Sequence, residues 1–235
     1  MRVIALLGLI ASSAAVTAWL LDGVRESGDL SLWDGPALSW LVGHRDSVAT
    51  MAMTTVTAIG SDVVLSAIAA LTVLLLAVRR RSVEAFLLAA ALGSAEAISL
   101  VLKHAVGRVR PPADTVLGPV EHTLSFPSGH TIGMATFTLA LAYLWWRARP
   151  SRKRAWVGWG VATVMTVWMA VSRLYLGDHW LTDVVASIVL SWGVMAAVVL
   201  VDMWAQHQSR QLRWLDGGLA ESVARLRRKG VPVAD

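Results

Sequence analysis

Residues 184–203, VVASIVLSWGVMAAVVLVDM, decide the fold. These twenty residues carry one ionisable side chain, Asp202, close to their end. At about 1.5 Å per residue a helix of this length covers the roughly 30 Å hydrocarbon core of a bilayer. Five more apolar stretches precede it, at 3–21, 63–78, 83–102, 131–146 and 155–171. Those that fall short of a full crossing must borrow flanking residues, and the second can draw on 48–59. Backbone groups inside lipid must be satisfied within their own segment, and no alternation of period two is present. The chain therefore reads as an all-α integral membrane protein with six transmembrane helices. Composition agrees: 56% of residues are apolar and 16% charged, against about a quarter charged in soluble domains. This excludes a disordered chain, a coiled coil and an ordinary soluble enzyme. Cysteine is absent, which excludes disulfides, a thiol nucleophile and thiolate-held metal.

Charge sets the orientation. Fifteen of the 21 Lys and Arg residues fall on one side of a six-span layout: Arg2, the run Arg79, Arg80, Arg81, the group from Arg147 to Arg154, and the segment 210–229. By the positive-inside rule this side is cytoplasmic and holds both termini. Trp19 and Trp180 mark the outer boundary, and Trp145, Trp146, Trp156, Trp159 and Trp204 the inner one. The net charge of +5 is thus a topology signal, and nucleic acid is not an expected partner. Arginine outnumbers lysine 18 to 3 and alanine is abundant, as in a GC-rich bacterial genome, so the expected location is a bacterial inner membrane. The first stretch has the cues of a signal peptide, but its length favours a retained span. Residues 22–47 read as a polar outer loop lying along the membrane surface. The layout divides into a six-span domain at 1–205 and a basic amphipathic cytoplasmic tail at 206–235, which anionic lipid would attract.

The six remaining cations are on the outer side, and polar residues gather with them. Lys103 ends the third span and Arg110-Pro111 follows. Pro127-Ser128-Gly129-His130 opens the fourth span, Ser172-Arg173 closes the fifth, and His179 and Asp183 open the sixth. Lys103, Arg110 and Arg173 converge without an equal number of carboxylates, which is costly near lipid unless an anion completes the cluster. Arg forks match phosphate oxygens, and Gly129 with the amides of a helix start adds donors. His179 and Asp183, four apart, share a helix face, so the carboxylate can fix one imidazole nitrogen and leave the other as nucleophile. His130 can then protonate the leaving group. Such a site transfers a phosphoryl group without a metal or other cofactor.

The patterns Lys103-x6-Arg110-Pro111, Pro127-Ser128-Gly129-His130 and Ser172-Arg173-x5-His179-x3-Asp183 resemble, in order, the three signature motifs of the type 2 phosphatidic acid phosphatase superfamily. The motifs span 103–183, and the six-span layout is similar to the membrane branch of that family. The resemblance implies a lipid phosphatase acting through a phosphohistidine. His179 would be the nucleophile, Asp183 its orienter and His130 the acid. Lys103, Arg110, Ser128, Gly129 and Arg173 would bind phosphate. Candidate substrates by this resemblance are polyprenyl diphosphate, phosphatidic acid and phosphatidylglycerophosphate, presented from the membrane at the outer face. Rival readings are a phosphotransferase on the same scaffold, or a transporter, whose polar groups would sit nearer mid-membrane. Two acidic residues stand apart. Glu96, about 10 Å below Lys103 on the same face of the third span, is expected to support Lys103 or Arg173. Asp178 reads as a helix cap.

Overall fold

The computed structural model describes residues 2–228, with the side chains of Arg210 and of residues 212–228 not described. The chain is all-helical across these residues. The helices are α1 (Arg2–Glu26), α2 (Asp34–Gly43), α3 (Ser47–Ile59), α4 (Asp62–Val78), α5 (Ser82–Val106), α6 (Gly129–Ala148), α7 (Arg152–Tyr175) and α8 (Leu181–Arg228). Short 3-10 turns lie at Asp29–Trp33 and Ala113–Thr115. The residues form two units, Met1–Val198 and Val199–Asp235. The tail reading for 206–235 falls largely on side chains outside the described residues.

Four helical segments are long and apolar enough to cross a membrane: α1, α5, α7 and the Leu181–Ser209 part of α8. Helices α3 and α4 make a fifth if taken as one broken span, bent by 46°. This pair is the second apolar stretch with its upstream extension. The break falls at Gly60 and Ser61, and the Ser61 hydroxyl caps α4 by accepting from the Val64 N–H at 3.4 Å.

The expected fourth span, α6, is not in that set. Twelve of its twenty residues are buried, including His130, Thr131 and Thr136. It packs against α4, α5 and α7, and along it the Ser187 and Ser191 hydroxyls of α8 donate to the Ser128 and Ile132 carbonyls at 3.1 and 3.3 Å. A helix enclosed by protein need not be apolar throughout. Small residues let these neighbours approach: Ala85, Ala91 and Ala95 on α5, Ala135 and Ala140 on α6, Ala162 on α7. At Gly158 a methyl group would meet the Ala142 Cβ at 3.2 Å. Within a bilayer, such packing and the hydroxyl bonds between helices, rather than release of water, hold the bundle.

Residues 22–47 differ from a plain outer loop. Helix α1 continues to Glu26, and α2 occupies Asp34–Gly43. One side of this segment is anchored by Asp34, which is 4% exposed, while Leu32, Trp33 and Trp40 face outward.

Candidate active site

Helix α5 stops where Gly107 adopts left-handed backbone, φ 63°, and its N–H bonds the Lys103 carbonyl at 2.9 Å. Segment 107–128 then folds over the ends of α7 and α8. Leu117 N–H donates to the Leu176 carbonyl (2.8 Å), Ser125 N–H to that of Arg108 (2.8 Å) and Ser128 N–H to that of Asp183 (3.5 Å). Gly177, φ 82°, lies so close to the Thr115 carbonyl that a Cβ would overlap it. Arg45 fastens the same corner, donating to the Thr115 carbonyl at 2.7 Å and to that of Tyr175 at 2.6 and 2.9 Å. The three motifs are thereby brought together.

His179 and Asp183 are fully buried. Asp183 Oδ2 lies 3.3 Å from His179 Nδ1 and accepts from the Ser125 hydroxyl at 2.5 Å and the Trp180 N–H at 3.0 Å. Its Oδ1 accepts from Arg108 Nη1 at 2.7 Å. On the other side of the ring, Arg110 Nη1 approaches His179 Nε2 at 3.2 Å. A guanidinium only donates, so Nε2 carries the lone pair and Nδ1 the proton. This is the tautomer a phosphorus-directed nucleophile requires. Burial pushes the imidazole down to about 4 against the pull of Asp183, and Arg110 and Arg173 add to the depression. At neutral pH the ring is uncharged.

The cationic cluster is built largely as expected, with one difference. Arg173 is 2% exposed. Its Nη2 donates to Glu121 Oε1 at 2.6 Å and its Nη1 pairs with Asp178 Oδ2 at 3.1 Å. Arg110 Nη2 donates to Glu121 Oε2, also at 2.6 Å. The cations are therefore not short of carboxylates: one carboxylate, Glu121, bridges both arginines as two phosphate oxygens would. Burial alone would raise the Glu121 carboxyl, but Arg173 and Arg110 hold it below the usual carboxylate range. Arg173 Nε is buried without a partner. Lys103 Nζ donates to the Leu124 carbonyl at 2.6 Å and lies within electrostatic reach of Arg110. Ser128, buried, caps α6, its hydroxyl accepting from the Thr131 N–H at 3.4 Å, and Gly129 is the first residue of that helix. His130 follows, within electrostatic reach of Arg173 and Glu121, with Nδ1 3.7 Å from Asp62 Oδ1.

Two expectations are corrected. Asp178 is not a cap: its carboxylate pairs with Arg173, and burial raises it above its ordinary value. Glu96 is exposed on α5 and, among the described residues, bonds neither Lys103 nor Arg173. Lys103 and Glu96 share a face at Cβ, but the four-carbon stem of Lys103 carries its ammonium to the 107–128 segment. Sequence reasoning also missed Arg108, Glu121, Ser125, Asp34 and Asp62. Of these, Arg108 and Ser125 carried a usable signal, each lying two residues from a motif position, Arg110 and Pro127. Trp180, read as a membrane anchor, instead covers Arg108 at 5.5 Å and donates from Nε1 to the Val109 carbonyl at 2.9 Å.

A sequence model of the PAP2 superfamily matches residues 84–207. The chain is 32% identical over 111 residues to phosphatidylglycerophosphatase B of Bacillus subtilis, covering 45% of this chain and 51% of that protein. It is 36% identical over 125 residues to decaprenylphosphoryl-5-phosphoribose phosphatase of Mycobacterium tuberculosis, covering 52% and 64%. The matched region spans between half and two thirds of the length of these curated relatives. Among solved structures, the transmembrane PAP2-type phosphatidylglycerolphosphate phosphatase of Bacillus subtilis aligns over 83% of this chain and 96% of that one, with a TM-score of 0.74 at 24% identity, which shows a shared fold.

Proposed function

The chain belongs to the PAP2 superfamily, and from that membership and the geometry above we propose that it is a membrane lipid phosphatase working through a phosphohistidine on His179. One observation carries this reading: Arg110 contacts the lone-pair nitrogen Nε2 of a buried neutral imidazole at 3.2 Å, and a carboxylate already spans Arg110 and Arg173 beside it.

Lipid phosphate displaces Glu121 and takes the Arg110 and Arg173 forks, with Lys103, the Ser128 hydroxyl and the Gly129 amide completing the cradle. His179 Nε2 attacks phosphorus. A P–N bond forms as the P–O bond to the lipid breaks, and His130 gives its proton to the departing oxygen. Asp183 stabilises the positive charge that develops on the ring. Water deprotonated by His130 then attacks phosphorus, the P–N bond breaks, and inorganic phosphate leaves. Asp62, beyond hydrogen-bond distance, acts on His130 through its charge. The steps need no metal, and no group of three or more His, Cys, Asp or Glu suited to one occurs among the described residues.

The bundle crosses the membrane six times in this reading, as α1, the broken pair α3 with α4, α5, α6, α7 and α8, with both termini cytoplasmic. The motifs cluster where α5 and α7 end and α6 and α8 begin, which, with the charge asymmetry of the sequence, supports a site at the outer face of a bacterial inner membrane. An apolar cavity of about 430 Å³ between α3, α6 and α7 is lined by Met51, Thr55, Ile59, Met134, Met165 and Trp168 among others. Met134 is one turn below His130, so this cavity holds the first part of the lipid chain. The substrate is a phosphatidylglycerophosphate or a polyprenyl-linked phosphate, in line with the names of these two relatives. The test is release of inorganic phosphate by purified protein from a panel of lipid phosphates and diphosphates, with His179→Ala as control. Turnover of at least one lipid, lost in the variant, is expected. No turnover across the panel, or turnover that survives in His179→Ala, contradicts the assignment.

A further inference from the structure

We propose that Asp34 is a positioning residue for the nucleophile, acting on His179 through Arg108 and Asp183; this rests on His179 being the nucleophile.

Asp34 opens α2 and precedes the region 84–207 that the family model covers. Its side chain is nonetheless sunk beside the catalytic pair. Oδ2 accepts from Arg108 Nη2 at 2.5 Å and from the Thr182 hydroxyl at 2.8 Å, and Oδ1 accepts from the Thr182 N–H at 2.9 Å. The same guanidinium bonds Asp183 Oδ1 through Nη1 at 2.7 Å. Two buried carboxylates therefore share Arg108, whose side chain is 14% exposed and lies under the Trp180 ring.

The bond to Thr182 N–H is the second half of the device. The first N–H groups of a helix have no intrahelical acceptor. At the start of α8, Trp180 has no side-chain oxygen to cap them. Asp183 reaches back to the Trp180 N–H, and Asp34 supplies from α2 the acceptor that Thr182 N–H lacks. Asp34 thus fixes the helical turn that carries Asp183, and it fixes the guanidinium that holds one oxygen of Asp183. The other oxygen is left to His179 Nδ1, Ser125 and Trp180. Without Asp34, Arg108 Nη2 and Thr182 N–H become buried donors with no acceptor, and both turn and guanidinium must shift to find one. Arg108 is the charged group that Asp34 bonds; Asp183, Arg110 and Arg173 are the charged groups acting on His179.

The test uses full-length Asp34→Asn, which keeps the shape, with Asp34→Ser, smaller and open to water, should the first fail to fold. Three readouts are taken in detergent: kcat on a lipid phosphate, inhibition by inorganic phosphate, and the His179 ring tautomer from ¹⁵N-histidine NMR, assigned against His179→Gln. The expected result is a kcat roughly 10- to 100-fold lower, since misplacement by about 1 Å costs on that order. Phosphate inhibition stays within about twofold, because Arg110, Arg173 and Lys103 are untouched, and the Nδ1–H tautomer loses population. An unchanged tautomer overturns the proposal, as does phosphate inhibition weakened in step with kcat, the mark of general damage to the 107–128 segment. The tautomer reading does not depend on lipid turnover, so a protein inactive on every lipid would defeat the function proposed above, while the tautomer would still decide whether Asp34 sets the state of the His179 ring.

Discussion

Replacing Glu121 with Gln should tighten phosphate binding. The Glu121 carboxylate bonds Arg110 and Arg173 at 2.6 Å each, in the place a phosphate must occupy. Hydrogen bonds to charged groups contribute about 1.5–3 kcal/mol when shielded. The Glu121 side chain is 33% exposed, so solvent screening lowers the combined value to about 1–2 kcal/mol. A ligand that must displace this contact binds more weakly by that amount. At about 1.4 kcal/mol per factor of ten, the penalty is roughly 5- to 30-fold in affinity. Glutamine keeps the size of the side chain but removes its charge and weakens its hold on both arginines. The inhibition constant for inorganic phosphate should therefore fall by roughly 5- to 30-fold in Glu121→Gln, and KM for a lipid phosphate should fall with it. Release of product phosphate slows in parallel, so kcat falls or stays level. The assay is steady-state hydrolysis in detergent at increasing inorganic phosphate, comparing the two proteins. If phosphate inhibits the variant more weakly than the parent, Glu121 holds the arginines in place and does not compete with substrate, and the reasoning fails.

The depressed imidazole of His179 sets the acid limit of activity. Above about pH 4 its Nε2 carries a lone pair, and as pH falls through that value protonation removes the nucleophile, so the acid limb of kcat/KM lies near 4; a limb at or above the ordinary histidine value of about 6.5 contradicts this. Thr55→Trp places an indole in the cavity between α3, α6 and α7, and should raise KM for long-chain lipid phosphates by roughly tenfold while sparing a short water-soluble phosphate ester; equal effects on both would remove the cavity from the substrate path. Chelation with EDTA should leave turnover intact, and a loss that added Mg²⁺ reverses would require a different mechanism.

The sequence exposes what depends on local pattern. Apolar length located the helices that became α1, α5, α7 and α8, and charge placed Lys103, Arg110, His130, Arg173 and His179 on one side before any contact was known. The four-residue spacing of His179 and Asp183 anticipated their contact but not its origin: His179 precedes α8, and Asp183 in the first turn of that helix lies against it at 3.3 Å. Hydropathy misjudged what depends on surroundings. Helix α6 does not register as a span, and its polar groups are satisfied inside the protein: the Thr136 hydroxyl donates to that of Ser191 on α8 at 3.3 Å. Glu121 and Asp34 look like ordinary solvated acids in loops, and only the folded chain brings the first between Arg110 and Arg173 and the second beneath Arg108. Glu96 misled in the opposite way. A shared helix face was read as a shared site, although a long lysine can leave the face from which its Cβ starts.

The most direct measurement is capture of the phosphorylated enzyme. Protein quenched during turnover of ³²P-labelled lipid phosphate should carry label that is stable to alkali and lost in acid, and mass spectrometry should place it on His179. His179→Ala should carry none and turn over no substrate. Label on a serine or aspartate, or undiminished turnover by the unlabelled variant, would contradict a phosphohistidine at this position.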